Sequence, residues 1–302
     1  MQNTVHPKIR LIRAGNAIDE GLLKQTCAFL ESEWGASISY GPEVFNGCSR
    51  QDRARLIRTY LSSSDYDTLW NVWGGEGAAD LLPYLDNTLP DTIPAKQVIG
   101  SSDATAILIY LSKFPGVFPI HATNLGRLSV IKSSASYEIL RSLVCGEPES
   151  IVLKNLAPLN LSARSQQTLQ STGSTGGNLS LLTISVGDTW EFDAADKIVF
   201  LEDWREKPHV IDRNLKSLAR RGKFSKAVAI VVGNIFCELV PTRLDDHVAY
   251  LRGRLNEFAE SLSVPVFETP LIGHGPDNYP VPFCWPAEIR VSDSPELVFH
   301  RP

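Results

Sequence analysis

QVIGSSDATAILIYLSKF, residues Gln97–Phe114, joins a short apolar run to a helix-forming one through a bend of small polar residues. Val98-Ile99 reads as a strand, Gly100-Ser101-Ser102-Asp103-Ala104 as a tight turn, and Ala106, Ile107, Ile109, Tyr110 and Leu111 as the buried side of a helix. A strand–turn–helix bend of this kind lifts one side chain out of the sheet above a helix N-terminus. A hydroxyl held there can act as a nucleophile, with neighbouring backbone N–H groups stabilising an oxyanion. The same residues also read as a plain helix cap, with Ser102 or Asp103 satisfying the first N–H groups of the helix.

Working back from the bend, strands and helices alternate. Lys8–Arg13 is a predicted strand, Asp19–Trp34 a helix, Ser37–Tyr40 a strand, Arg50–Ser62 a helix, Asp67–Val72 a strand and Ala78–Leu85 a short helix. This alternation predicts an α/β domain with a parallel sheet. In such a sheet the working loops lie beyond the carboxyl ends of the strands, where Trp73-Gly74-Gly75-Glu76-Gly77 and Gly100–Asp103 fall. Working forward, Ser129–Gly146 reads as a helix, and the polar stretch Ser162–Gly177 as a connector or exposed hairpin. Three regions are therefore expected: a nucleophile-bearing α/β domain over 1–160, a linker over 161–177, and a second domain over 178–302. In the second domain, strands are predicted at Lys197–Leu201, Ala227–Val232 and Pro265–Phe267, and helices at Val210–Arg221 and Leu244–Ser261. Tyr279–Trp285, alternating with prolines, reads as an edge or irregular strand.

The bulk composition narrows the function. The 302 residues carry a formal charge of −5, with 43% hydrophobic and 21% charged residues, an ordinary globular composition. That charge argues against a nucleic-acid or anionic-membrane partner. No apolar run reaches the length of a membrane span, and MQNTVHPKIRLIRAG lacks the apolar core of a secretory leader. The five cysteines never form a C-x-x-C pair, and the six histidines show no metal-binding spacing. Reduced thiols in a cytoplasmic protein, with no metal and no cofactor, are the expectation.

Three polar islands each follow an apolar strand: Gly100–Asp103, Glu202-Asp203 after Phe200-Leu201, and Gly273-His274-Gly275-Pro276. A serine, an acid and a histidine in that chain order can make a hydrolytic triad. His274 would take the proton of Ser102 and return it to the leaving group, while Glu202 would fix the imidazole tautomer. Taken singly, Glu202-Asp203 also reads as a solvated turn and His274 as a loop histidine.

Five segments in order resemble one known family. Trp73–Gly77 with Leu81-Leu82-Pro83-Tyr84-Leu85-Asp86 is similar to the Arg-Gly-Gly-Tyr-Gly and Leu-Leu-Pro-Tyr-Leu-Asp segment of the LD-carboxypeptidases, and Ile99–Thr105 to their nucleophile turn. Gly176–Leu182 (GGNLSLL), Phe200–Leu215 (FLEDWREKPHVIDRNL) and Ile272–Gly275 (IGHG) resemble three further signatures of these serine peptidases. The family includes murein tetrapeptide carboxypeptidases and microcin C self-immunity peptidases. The resemblance runs from about Lys8 to Phe283. It implies an N-terminal α/β sandwich, a C-terminal β-rich α+β domain, an active site in the cleft between them, and a homodimer. It implies Ser102 as nucleophile, Glu202 as orienting acid, His274 as base, and an oxyanion hole from the N–H groups of Asp103 and of a glycine in Gly74-Gly75, with Gly75 the choice. The implied reaction is release of a terminal D-alanine from a small muropeptide.

Departures from the family pattern fall beside the substrate. Trp73 replaces its arginine, Glu76 its tyrosine, and Ser101 the tyrosine before the nucleophile. Trp73, Gly74, Glu76 and Ser101 are therefore the expected pocket lining, and Arg213, in the matching Asp212-Arg213 pair, is a candidate to meet a carboxylate by a bidentate contact. Losing a cation and gaining Glu76 disfavours an acidic substrate. Two other readings follow: a relative acting on a peptide–nucleotide or other acyl-amide, and a relative that keeps the cleft for binding alone.

Overall fold

Ile9 and Leu11 alternate with Lys8 and Arg10 in a first strand, β1 (Lys8–Ile12), and set the register of a six-stranded sheet. A computed structural model describes residues 6–85, 89–90, 92–146, 148–164, 168–237 and 244–302, with side chains omitted at 237 and 244–247. Asp86 and residues 165–167 of the expected linker lie outside the described residues. The chain divides into two units, Met1–Pro148 with Asn278–Phe283, and Glu149–Asp277 with Cys284–Pro302.

In the first unit, β1 is followed by α1 (Glu20–Trp34), β2 (Ser37–Ser39), α2 (Arg50–Ser62), β3 (Thr68–Asn71), α3 (Leu82–Leu85), β4 (Lys96–Gly100), α4 (Thr105–Leu111), β5 (Val117–His121), α5 (Leu128–Ile131) and α6 (Ala135–Val144). The β2, β1, β3, β4 and β5 strands lie side by side and parallel in that order. The helix boundaries follow from caps. The Asp19 carboxylate accepts the Leu22 N–H, Ser49 caps α2 through the Asp52 N–H, and Gly35 ends α1 at φ +62°. All four residues of β3 and all seven of α4 are buried, so this sheet is covered on both faces and α4 is surrounded rather than one-sided. Val281–Pro282, β13 in chain order, returns to pair antiparallel with β5.

In the second unit, β6 (Ser150–Leu153), β7 (Ala157–Pro158), β8 (Thr168–Ser171), β9 (Gly173–Asn178), α7 (Leu179–Ser185), β10 (Lys197–Glu206), α8 (Pro208–Arg220), β11 (Ala229–Cys237), α9 (Leu244–Glu260), β12 (Val266–Glu268), β14 (Ala287–Arg290) and β15 (Glu296–His300) form two sheets. One is ordered β7-β12-β11-β10-β9, and its inner pairings are parallel. The other is an antiparallel sheet, β6-β15-β14-β8, built round the β14–β15 hairpin. The second domain is thus rich in strands, as expected, but its larger sheet is mainly parallel and alternates with helices.

The stretch 161–177, expected as a linker, lies inside the second unit and contributes β8 and most of β9. Its Ser, Thr and Gly content has a packing cause. Gly176 stands at φ +136°, and a Cβ there would collide with the Phe200 carbonyl of the neighbouring strand. The division between units falls at 148/149, not near 160, and 278–283 goes back to the first unit.

Candidate active site

In the first unit, the carboxyl ends of β1, β3, β4 and β5 are tied together by two buried asparagines. Asn71 Oδ1 accepts the Ala14 N–H at 2.8 Å, and its Nδ2 donates to the Trp73 carbonyl and to Asn124 Oδ1. Asn124 in turn accepts the Ser101 N–H at 3.2 Å and donates to the Ser101 carbonyl and hydroxyl. Ser101 is therefore buried with its hydroxyl turned to Asn124.

The next residue is bent sharply. Ser102 has φ +60°, a left-handed backbone for a residue with a Cβ, at a cost of roughly 1–3 kcal/mol. It opens a single 3₁₀ turn, Ser102–Ala104, that runs into α4. The helix-cap reading places Ser102 or Asp103 at the N-cap; the cap positions of the turn and of α4 are instead Ser101 and Ala104, and neither makes a side-chain cap. The Asp103 carboxylate also turns away from its own helix and accepts the Ala78 N–H at 2.8 Å. Asp103 is only 6% exposed. Burial, opposed by that hydrogen bond and reinforced by Asp80 and Glu76, pushes its carboxyl up to about 6.

The glycine loop beside this bend is held from β1. The Asn16 N–H donates to the Gly74 carbonyl at 2.8 Å, so the far edge of that planar peptide, the Gly75 N–H, points away from Asn16. Gly75 stands at φ +105°, and a Cβ there would strike the Asn16 side chain. A Cβ on Gly74 would lie 3.0 Å from Ser102 Cβ and 3.1 Å from its Oγ, so glycine is what lets the loop approach the serine. The Arg53 guanidinium, buried, donates to the carbonyls of Ala14 and Gly15 and fixes the start of this network. The indole of Trp73 lies against Gly126, where a Cβ would collide with it, while Glu76 is exposed.

In the second unit, Glu202 and His274 meet. Glu202 Oε2 lies 2.6 Å from His274 Nδ1, with the two side chains 0% and 7% exposed. A bulge in the pairing of β10 with β11 between Leu201 and Asp203 delivers both acids inward. The neighbouring Asp203 takes a different part. It accepts from Asn178 Nδ2, from the Ser180 N–H and hydroxyl, and from the Trp204 N–H. Burial, with Glu202 adjacent, pushes its carboxyl up to about 6.

The histidine loop depends on Gly273, at φ +112°, where a Cβ would sit 3.0 Å from Glu202 Cβ. Asn234 secures the loop, its N–H donating to the Ile272 carbonyl at 2.7 Å and its side chain to the Pro270 carbonyl at 2.5 Å. The indole of Trp204 stacks on the imidazole with ring centroids 5.4 Å apart and planes 15° from parallel. Arg213 lies exposed on α8, beside the Asp212–Lys216 ion pair at 2.8 Å, and shares a shallow depression with Lys216, Ser217, Arg220 and Arg221.

The structure thus brings Glu202 to His274, and Gly74 to Ser102. The sequence reading passed over Asn16, Asn71, Asn124, Asn234 and Trp204. Only Trp204 carried a readable signal, since it stands two residues after Glu202 on a strand, where side chains share a face. Among the described residues, no group of three or more His, Cys, Asp or Glu is placed to hold a metal ion, and no helix is long and apolar enough to cross a membrane.

Residues 9–122 match the LD-carboxypeptidase N-terminal domain, and residues 172–289 the LD-carboxypeptidase C-terminal domain. A Rickettsia conorii relative assigned as a carboxypeptidase is 31% identical over 261 residues, spanning 85% of this chain and 79% of its own. The murein tetrapeptide carboxypeptidase of Pseudomonas aeruginosa is 24% identical over 284 residues, 91% of each chain. The fold is shared with the muramoyltetrapeptide carboxypeptidase of Oxalobacter formigenes, at a TM-score of 0.79, 21% identity and coverage of 97% of this chain and 99% of that one. It is shared equally with a microcin C7 self-immunity protein in complex with adenosine monophosphate, at a TM-score of 0.80, 18% identity and coverage of 98% and 97%. With one domain model over each unit and a relative above 30% identity along most of its length, the chain belongs to the LD-carboxypeptidase family.

Proposed function

We propose that this chain is a serine carboxypeptidase that releases a terminal D-alanine from a murein tetrapeptide through an acyl-enzyme on Ser102. The observation that carries the reading is Ser102 itself, held at φ +60° without a capping role, complemented in the second unit by the buried Glu202–His274 hydrogen bond. His274 accepts the hydroxyl proton on Nε2 as Ser102 Oγ attacks the scissile carbonyl. Glu202, bonded to Nδ1, keeps Nε2 as the base and stabilises the imidazolium. The N–H groups of Gly75 and Asp103 receive the developing oxyanion. The imidazolium then protonates the departing amine of D-alanine, and water, deprotonated by the same histidine, hydrolyses the ester. The protein works in the cytoplasm as a homodimer that serves peptidoglycan recycling, with a small peptide or peptide-like molecule as its substrate.

A second reading has its own support. The altered Trp73 and Glu76 and the shared fold of the microcin self-immunity protein favour a peptide–nucleotide or related acyl-amide. Incubating the protein with a murein tetrapeptide and, separately, with an aminoacyl-sulfamoyl nucleotide separates the two. Release of D-alanine by the native protein and not by Ser102→Ala is the expected result; cleavage of the nucleotide alone transfers the assignment to the second reading, and tetrapeptide turnover by Ser102→Ala rejects the serine mechanism.

A further inference from the structure

Three observations converge on one exposed aromatic side chain. Trp204 lies two residues beyond Glu202 on β10 and is 38% exposed, an unusual place for an indole with no packing duty in the core. It is stacked on the His274 imidazole at 5.4 Å and 15°. It also meets Phe236, its register partner on β11, edge-on with centroids 5.2 Å apart and planes at 71°. Phe236 is equally exposed, at 38%. Two half-exposed aromatics on adjacent strands therefore make a stack that ends on the histidine.

The geometry points to Trp204 as a positioning residue for the reaction proposed above, one that holds the plane of the His274 ring. The hydrogen bond from Nδ1–H to the Glu202 carboxylate fixes one edge of the imidazole but leaves the ring able to tilt about that bond. An indole stacked nearly parallel and offset against the ring opposes the tilt. The electron-rich face of tryptophan also attracts a cation, so the imidazolium that forms when Ser102 attacks gains more from the contact than the neutral ring that precedes it. A contact that strengthens along the reaction raises kcat and leaves substrate binding nearly unchanged. Phe236 acts one step further out by supporting the indole from its edge.

The inference rests on His274 acting as the base, so the test includes that reading. In the full chain, with D-alanine release from a murein tetrapeptide as the assay, Trp204→Leu should lower kcat about ten-fold and change KM by less than about two-fold, equivalent to about 1.4 kcal/mol at 1.36 kcal/mol per decade. Trp204→Phe should recover activity to within about three-fold of the native protein, because it restores an aromatic face, and Phe236→Leu should fall between the two. Unfolding midpoints of the variants, measured alongside, should show each protein folded at the assay temperature, so that the loss of kcat is read from native structure. Native kcat in Trp204→Leu, or an equal loss in Trp204→Leu and Trp204→Phe, overturns the role of the ring. Should Trp204→Leu not fold, Trp204→Met, which keeps bulk without an aromatic face, takes its place: kcat should fall about ten-fold while Trp204→Phe stays within about three-fold of native, and native kcat in Trp204→Met overturns the role of the ring. Retained turnover in His274→Ala or Ser102→Ala is a different outcome, and it defeats the hydrolytic reading rather than the placement of Trp204.

Discussion

Replacing Asp103 by asparagine should make the protein more stable at neutral pH, and the gain should fade in acid. Asp103 is buried, and its carboxyl is pushed from an ordinary 3.8 up to about 6, chiefly by desolvation and then by Asp80 and Glu76. The sign follows from proton linkage. The folded chain holds this proton more tightly than the unfolded chain, so the contribution to stability is full below about pH 4 and is lost as pH rises through about 6. Above that, the ionised carboxylate costs about 1.36 × (6 − 3.8), or about 3 kcal/mol, relative to the protonated acid. Asparagine keeps an oxygen for the Ala78 N–H and cannot ionise. The advantage of Asp103→Asn should therefore be about 3 kcal/mol at pH 8 and only about 0.5 kcal/mol at pH 4. Urea unfolding of both proteins across that range, followed by intrinsic fluorescence, measures it. An advantage independent of pH, or a variant less stable than the native protein at pH 8, would refute the argument. Asp203, also pushed up to about 6, is present in both proteins and cancels in the difference.

Other outcomes follow from the same geometry. Ser102→Gly should abolish turnover yet raise stability by about 1 kcal/mol, because glycine accepts φ +60° without strain, whereas Ser102→Ala should abolish turnover with no such gain; thermal unfolding of the pair checks this. Gly273→Ala, at φ +112° and 3.0 Å from Glu202 Cβ, should move the histidine loop and lower kcat by about 100-fold or more, read as D-alanine release alongside an unfolding midpoint. Glu76→Gln should raise kcat/KM for an anionic tetrapeptide by a few-fold at low salt, with the gain shrinking in 0.5 M salt, since Glu76 is exposed and screened.

Much of this was readable in the sequence, and the parts that were not share physical causes. The α2 helix runs over Arg50–Ser62 as the apolar spacing requires, and the strand, bend and helix around Ser102 stand where Gly100 and the apolar runs put them. The β9 strand was misread because Gly173–Asn178 carries no apolar pattern; all six residues are buried, and close approach of backbones replaces side-chain packing there. The return of 278–283 to the first unit leaves no local mark, because pairing of Val281 with His121 depends on residues far apart in the chain. The asparagines that brace the site were missed for a related reason. Asn71 and Asn124 act at strand ends through hydrogen bonds to backbone, and neither periodicity nor spacing marks such a residue. Ser101 likewise gave no local sign that its hydroxyl would bond to Asn124.

The claim on which the account depends is that the strained serine is the group acylated. Treating the folded native protein with a fluorophosphonate and mapping the adduct by mass spectrometry tests it at the level of a single atom. The account predicts one covalent adduct, on the peptide that contains Ser102, lost in Ser102→Ala and slowed in His274→Ala. An adduct on any other residue, or labelling that persists unchanged in Ser102→Ala, would contradict it.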